Sequence, residues 1–236
     1  MKICKATALL LNYKRPENIN AIIENIKSQS IPINIFLWNN NNEDNKKYPV
    51  DLQINSSLNL MCSPRWLMSS YSESEYFFSL DDDLNFKDLK VIEDCVSYAT
   101  NHNCAIGYQG VIIGPSKEYF NSKHLGQNHF SPNVNHFSPN VNNDINVDII
   151  KGRFLFCSKI QLREINFSNY KKADNYRIED DIIISSKIDN KIIPKFLHNR
   201  FVELPAPHAL QHQPEHKQSR QESLIKYYLK KNKFIL

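Results

Sequence analysis

The chain has 236 residues, of which 41% are hydrophobic and 23% charged, with a formal net charge of +4. That length and apolar content suit a single domain, residues 1–236, with a sizeable core. The charge is too small to make nucleic acid the main partner, and with five glycines and neither a P-loop nor a G-x-G-x-x-G the sequence disfavours P-loop NTPases and NAD enzymes.

In chain order, Thr7–Leu11 is a short apolar run and predicts a strand buried in a parallel sheet. At about six residues the run is too short for a signal peptide or a membrane span. Asn12–Arg15 is a polar loop, and Pro16 suits the first turn of a helix whose Ile19, Ile22, Ile23 and Ile26 fall on one face. Ile33–Trp38 reads as the second strand, completing a βαβ unit of about thirty residues. Asp51–Ile54 is a short third strand, and Pro64 opens a helix to about Ser72. Tyr76–Leu80 is a fourth strand that ends directly on Asp81-Asp82-Asp83. Phe86–Thr100 has helical spacing, with Leu89, Ile92, Val96 and Ala99 on one face.

Cys104–Ile113 reads as another strand. The stretch 114–146 is irregular and holds HFSPNVN twice in tandem, at 129–135 and 136–142, read as a mobile surface loop. Strand character resumes over Asp148–Cys157 around Gly152. Glu179–Ile188 predicts a helix, Pro194–Leu197 a short extended piece, and Glu215–Lys231 an amphipathic helix with Leu224, Ile225, Tyr228 and Leu229. Alternating strands and helices predict an α/β fold with a largely parallel sheet. Positive charge gathers at the C-terminus, in Lys217, Arg220, Lys226, Lys230, Lys231 and Lys233. It reads either as a solvated helix end or as a patch for peripheral contact with an anionic membrane surface.

Five cysteines without a C-x-x-C suggest neither a zinc site nor a disulfide framework, and point to reduced thiols in a cytoplasmic protein. Three adjacent carboxylates at 81–83 repel one another unless a cation or ligand compensates them. Ligands bind at the carboxyl ends of strands in open α/β sheets. A hard divalent ion bridging to phosphate oxygens satisfies both conditions, whereas an acidic helix start is the blander alternative. Glu179-Asp180-Asp181 is a second acidic cluster, explained either by a helix dipole or by chemistry that needs a second carboxylate set. Gly152, between Lys151 and Arg153, marks either a bulge or the close approach of another group. His208, His212 and His216 recur every four residues, each a candidate metal or diphosphate contact or a packing side chain.

Four of these features occur in the order seen in GT-A glycosyltransferases: TALLLNYKRPENI, the strand ending in Trp38-Asn39-Asn40, the triple Asp, and Asp180-Asp181-Ile182. The chain resembles the exostosin-like hexosaminyltransferases, the exostosin C-terminal domain family, in patches between residues 6 and 190. The resemblance implies a Rossmann-like GT-A domain whose residues 1–105 bind a nucleotide-sugar donor, UDP-linked, and whose residues 106–236 bind a glycan, glycolipid or protein hydroxyl acceptor. It implies Asp83 as the direct ligand of Mn²⁺ or Mg²⁺, with Asp81 and Asp82 toward the metal's waters and the ribose. Arg15 would approach the nucleotide and Asn39 would read the uracil edge. Asn59 and Arg65 would contact nucleotide and diphosphate, although the spacing is one residue off the family's and Pro64 intervenes. Asp181 matches the family's functional carboxylate, while the Glu-Asp pair of inverting relatives would point to Asp180. A metal-dependent nucleotidyltransferase and a non-catalytic sugar-nucleotide module are the alternatives.

Overall fold

Every residue of the first strand, β1 (Ala6–Asn12), is buried, as befits a strand covered on both sheet faces. The computed structural model describes residues 4–40, 46–126, 137–138, 143–163, 165, 179–206 and 216–230. After β1 come α1 (Pro16–Lys27), β2 (Ile33–Asn39) and β3 (Leu52–Asn55). Pro16 starts α1, where its missing N–H costs nothing, and Glu17 and Lys27 sit at the helix ends that favour their charges. Next are α2 (Pro64–Leu67), prolonged by a 3₁₀ turn over Met68–Tyr71, then β4 (Tyr76–Leu80), β5 (Leu84–Phe86) and α3 (Val91–His102). The short strands β6 (Ala105–Gly107), β7 (Gly110–Ile112), β8 (Lys123–Leu125), β9 (Phe137–Ser138), β10 (Ile145–Asn146) and β11 (Ile149–Ile150) lead to β12 (Phe154–Ser158). The chain then forms α4 (Lys159–Leu162), α5 (Asp180–Lys187), β13 (Lys191–Ile193), β14 (Phe201–Glu203) and α6 (His216–Ser223).

Eight of the described strands form the central sheet, in the order β10-β13-β6-β12-β4-β1-β2-β3. The β1–β2, β1–β4, β2–β3 and β6–β13 pairs are parallel, while β12 runs antiparallel to both β4 and β6. A second sheet has the order β11-β7-β8-β9, and β5 pairs with β14 in a ribbon. Side chains alternate along β1. Ala6, Ala8 and Leu10 pack with the isoleucines of α1 and with Ile92 and Val96 of α3. Leu9 packs on the opposite face with Trp66, Phe77, Ile183 and Ile184. The period of two thus sends one strand into two cores.

The βαβ unit, the triplet-bearing strand and the helix at 180 match the sequence reading. Other boundaries shift for tertiary reasons. The helix expected from Phe86 begins at Val91, because Leu84–Phe86 is claimed as a strand by β14, far away in sequence. Leu89 consequently lies outside the helix and is 52% exposed. The single strand expected over Cys104–Ile113 turns at Tyr108-Gln109 and serves both sheets. Asp148–Cys157 likewise divides into β11 and β12 at the turn 151–153. Lys195–Leu197 is a 3₁₀ turn rather than an extended piece, and the strand precedes Pro194. The C-terminal helix changes to π geometry over Leu224–Leu229, with Leu224 buried and Ile225 exposed. Of the tandem repeat only Phe137–Ser138 lies among the described residues, paired with β8.

Candidate active site

The parallel strands β1, β2 and β4 end on one edge of the sheet, where the loop after β1 carries Arg15 and the loop after β4 carries the acidic triplet. Beyond β1, Lys14 takes a left-handed φ of 60°, a conformation that costs a non-glycine residue about 1–3 kcal/mol. It turns the chain so that Arg15 faces the triplet. Asp82 accepts a hydrogen bond from the Tyr13 N–H at 3.0 Å and pairs with Arg15. Asp83 lies 3.3 Å from Arg15 Nη1 on one oxygen and 2.9 Å from Arg153 Nη2 on the other. Asp81 Oδ1 takes Arg65 Nη1 at 2.7 Å.

The second acidic cluster sits across from the first at the start of α5. Arg65 is 1% exposed, and while Nη1 holds Asp81, its Nη2 lies 3.1 Å from Asp180 Oδ2. Trp66 Nε1 donates to the same Asp180 oxygen at 2.8 Å. Arg220, from α6, donates to Glu179 at 2.6 Å and to Asp181 at 2.7 Å, and stacks on the Tyr119 ring at 4.3 Å. Asp181 also accepts the N–H groups of Gly152 at 3.2 Å and Ile182 at 2.9 Å. Arg153 grips Glu203 of β14 with both terminal nitrogens. Arg15, Arg65, Arg153 and Arg220 therefore each bridge two carboxylates.

Gly152 lies between the clusters. Its carbonyl accepts from Arg65 Nη2 at 3.1 Å and from the Ser79 hydroxyl at 2.8 Å. A Cβ there would lie 3.1 Å from Arg65 Nη2 and 3.5 Å from Asp180 Oδ1. The close approach is thus by the protein's own arginine.

Electrostatics separates the carboxylates. Burial pushes Asp82 up to about 7, overcoming the Arg15 charge and the Tyr13 N–H. Burial also raises Asp81 against the pull of Arg65, and raises Glu179 with help from Asp181 and Asp180. Burial pushes Asp181 the same way, but the charge and hydrogen bond of Arg220 outweigh it and hold that carboxyl below its usual value. Lys151 is lowered to about 7 by burial and by the cations Arg220 and Arg153.

The structure brings together Arg15, Arg65, Asp81, Asp82, Asp83, Asp180 and Asp181. Asn39 is fully buried at the end of β2, accepting from Asn12 at 3.0 Å and donating to Asn55 at 3.2 Å. Asn59 accepts the Met61 N–H at 3.0 Å in its own turn, and no hydrogen bond among the described residues links it to the carboxylates. His216 Nδ1 is 3.8 Å from Glu179 Oε1, and His208 and His212 lie outside the described residues. Arg220, grouped by sequence with a basic tail, is instead 8% exposed and belongs to the site. Nothing local marks Glu203 or Tyr119, because their roles come from pairing partners distant in the chain. Among the described residues no three ligand-type side chains are already gathered as a metal centre.

No protein-family model matches the chain, and no curated protein matches its sequence. Solved structures do match. The mannosyltransferase PcManGT from Pyrobaculum calidifontis, in complex with GDP-Man and Mn²⁺, superposes with a TM-score of 0.56 at 11% identity, covering 99% of this chain and 65% of that one. S. aureus TarS 1-349 in complex with UDP-GlcNAc gives 0.53 at 11% identity over 91% of this chain and 61% of that one. Its complex with UDP gives 0.55 at 10% identity over 86% and 61%. The chain thus spans less than two thirds of each neighbour's length. The likeness is one of architecture: this chain has the GT-A glycosyltransferase fold, with its acids at the sheet edge.

Proposed function

We propose that the chain is a metal-dependent glycosyltransferase that moves a sugar from a nucleotide-sugar donor, UDP-linked, to a hydroxyl acceptor. The observation that carries this reading is the pair of facing acidic clusters, 81–83 and 179–181, joined by Arg65 at the carboxyl edge of a GT-A sheet. Residues 1–105 would bind the donor and 106–236 the acceptor, a glycan, glycolipid or protein, in the cytoplasm. The exostosin-like resemblance supplies the narrower proposal of an N-acetylhexosamine as the sugar. Among the described residues no helix is long and apolar enough to cross a membrane. Lys217, Lys226 and Lys230 remain candidates for peripheral membrane contact.

The residues fit a divalent ion. Seven carboxylates (Asp81, Asp82, Asp83, Glu179, Asp180, Asp181 and Glu203) face four guanidiniums and Lys151, a formal excess of two negative charges. Mg²⁺ and similar hard ions are held by one or two carboxylates, with substrate phosphates and water completing the shell. Asp83 and Asp81 would hold it, and the ion would supply Lewis-acid neutralisation of the diphosphate leaving group. Two buried guanidinium nitrogens, Arg15 Nε and Arg220 Nε, lack a partner among the described residues, which supports an anionic ligand here.

In this mechanism Arg15 orients the nucleotide end of the donor; Asn39, fully buried between Asn12 and Asn55, would act by shaping the end of β2, and Asn59 stays a proposed nucleotide contact. Asp82 is fixed by Arg15 and Tyr13 N–H and positions the loop toward the ribose. Arg65 couples Asp81 to Asp180, so the two acid clusters keep one spacing, and its fork suits the diphosphate. Asp181, held ionised by Arg220, is a poor proton acceptor but a steady negative charge. That favours a position facing the donor's anomeric carbon, with Asp180 second. The test is a panel of nucleotide sugars, scored for donor turnover with and without Mn²⁺. Turnover of one UDP-sugar only with metal is the expected result; turnover of nucleoside triphosphates instead would replace this reading with nucleotidyl transfer.

A further inference from the structure

The Arg153 guanidinium pairs with one oxygen of Asp83, the carboxylate read above as a cation ligand, while Arg15 Nη1 lies 3.3 Å from the other. Arg153 Nη2 is 2.9 Å from Asp83 Oδ1, while both terminal nitrogens of Arg153 engage the Glu203 carboxylate. Neither contact is an accident of a long surface side chain. The Arg153 carbonyl accepts the Asp81 N–H at 3.0 Å, and the Leu204 N–H donates to the Asp83 carbonyl at 2.8 Å. Glu203 itself is opposite Leu84 in the β5–β14 ladder, one residue beyond Asp83. Three backbone segments are therefore stitched together around a single carboxylate–guanidinium–carboxylate bridge.

A guanidinium that shares Asp83 opposes a divalent ion there, by like charge and by holding a lone pair. A guanidinium drawn toward Glu203 frees that lone pair, and the Glu203 carboxylate offsets its charge. We propose that Arg153 is a built-in counter-ion for Asp83 in the cation-free protein, and that Glu203 is the positioning residue that retains Arg153 when a divalent cation takes Asp83. Glu203 thereby sets cation affinity without touching the cation. This inference rests on the reading of Asp83 as a divalent-cation ligand.

The test measures Mn²⁺ binding to the whole chain, without donor, by the loss of the free-ion electron paramagnetic resonance signal. Arg153→Met is expected to bind Mn²⁺ more tightly than the unmodified protein. Glu203→Gln is expected to weaken binding by about tenfold, the scale on which partners of metal ligands act. Arg153→Lys, which keeps the charge, should stay near the unmodified affinity and guards against a Met variant that folds poorly. The double variant Arg153→Met/Glu203→Gln decides the matter, because a residue acting only through Arg153 has no effect once Arg153 is gone. Equal affinity of the two Arg153→Met backgrounds supports the proposal. A further loss in the double variant would make Glu203 a ligand and overturn it, as would unchanged affinity in both single variants. If the unmodified protein and Asp83→Asn both fail to bind Mn²⁺ with UDP present as well as without it, the metal reading itself falls, and this inference with it.

Discussion

Arg220 reaches from α6 to within 2.7 Å of Asp181, and its other terminal nitrogen is 2.6 Å from Glu179. A residue distant in sequence thus pairs with Glu179 and Asp181 and holds Asp181 in its ionised form. Arg220→Ala leaves buried carboxylates without their cation, which is expected to cost about 3–5 kcal/mol. Thermal unfolding reads this directly, and a melting temperature equal to that of the unmodified protein would exclude a stabilising role. Because Arg220 lowers Asp181 from 3.8, the contribution of this pair is complete above about pH 4 and is lost as pH falls through the folded value.

Asp83→Ala is expected to abolish metal-dependent donor turnover while the protein still melts cooperatively. Activity assays with and without Mn²⁺, paired with circular dichroism, test this. Persistence of metal-stimulated turnover would remove Asp83 from the metal site.

Asp181→Asn is expected to lower kcat far more than it weakens donor binding, since an amide keeps the shape and loses the charge. Binding measured by calorimetry and turnover measured separately make the comparison. Equal losses in both would reassign Asp181 to the donor pocket.

Burial raises Asp82 from 3.8 to about 7. Over that interval the folded protein holds a proton that the unfolded chain has released, so stability falls as pH rises from about 4 to about 7. Asp82→Asn removes this term. The difference in melting temperature between the variant and the unmodified protein should therefore shift in the variant's favour across the range. Parallel pH profiles would show that Asp82 is ionised throughout.

Gly152→Val is expected to displace Arg65, because even a Cβ would lie 3.1 Å from its Nη2. Overpacking of this kind costs about 1–3 kcal/mol. Donor turnover should fall together with stability, and a fully active Gly152→Val protein would separate Arg65 from the site.

The sequence pattern made the parallel half legible because its signals are local. An apolar run, a Pro at a helix start, isoleucines at helical spacing and acids at a strand end each need only a short window. Arg15, Arg65 and both acidic clusters emerged from that pattern together with a family resemblance. What stayed hidden is what depends on pairing across the chain. Phe86 and Leu89 satisfy a helical period, yet β14 takes Phe86 into a ribbon. Glu203 has no motif around it, and Arg220 looks like one charge in a basic tail. The crowding of the Asp triplet signals that something positive compensates it, but not that three arginines from three segments share the task.

Within the central sheet β12 runs against both of its neighbours, β4 and β6. With Phe154 opposite Leu80, β12 enters the sheet at the edge where β4 leaves it. Its entry turn, Lys151-Gly152-Arg153, is thereby delivered beside the exit loop of β4. A strand of the same polarity as β4 would have carried those three residues to the far rim, out of reach of both acidic clusters. The reversal lets a late segment contribute its backbone amide and its guanidinium to a centre founded by the first eighty or so residues, and every substitution that weakens β12 should be felt there first.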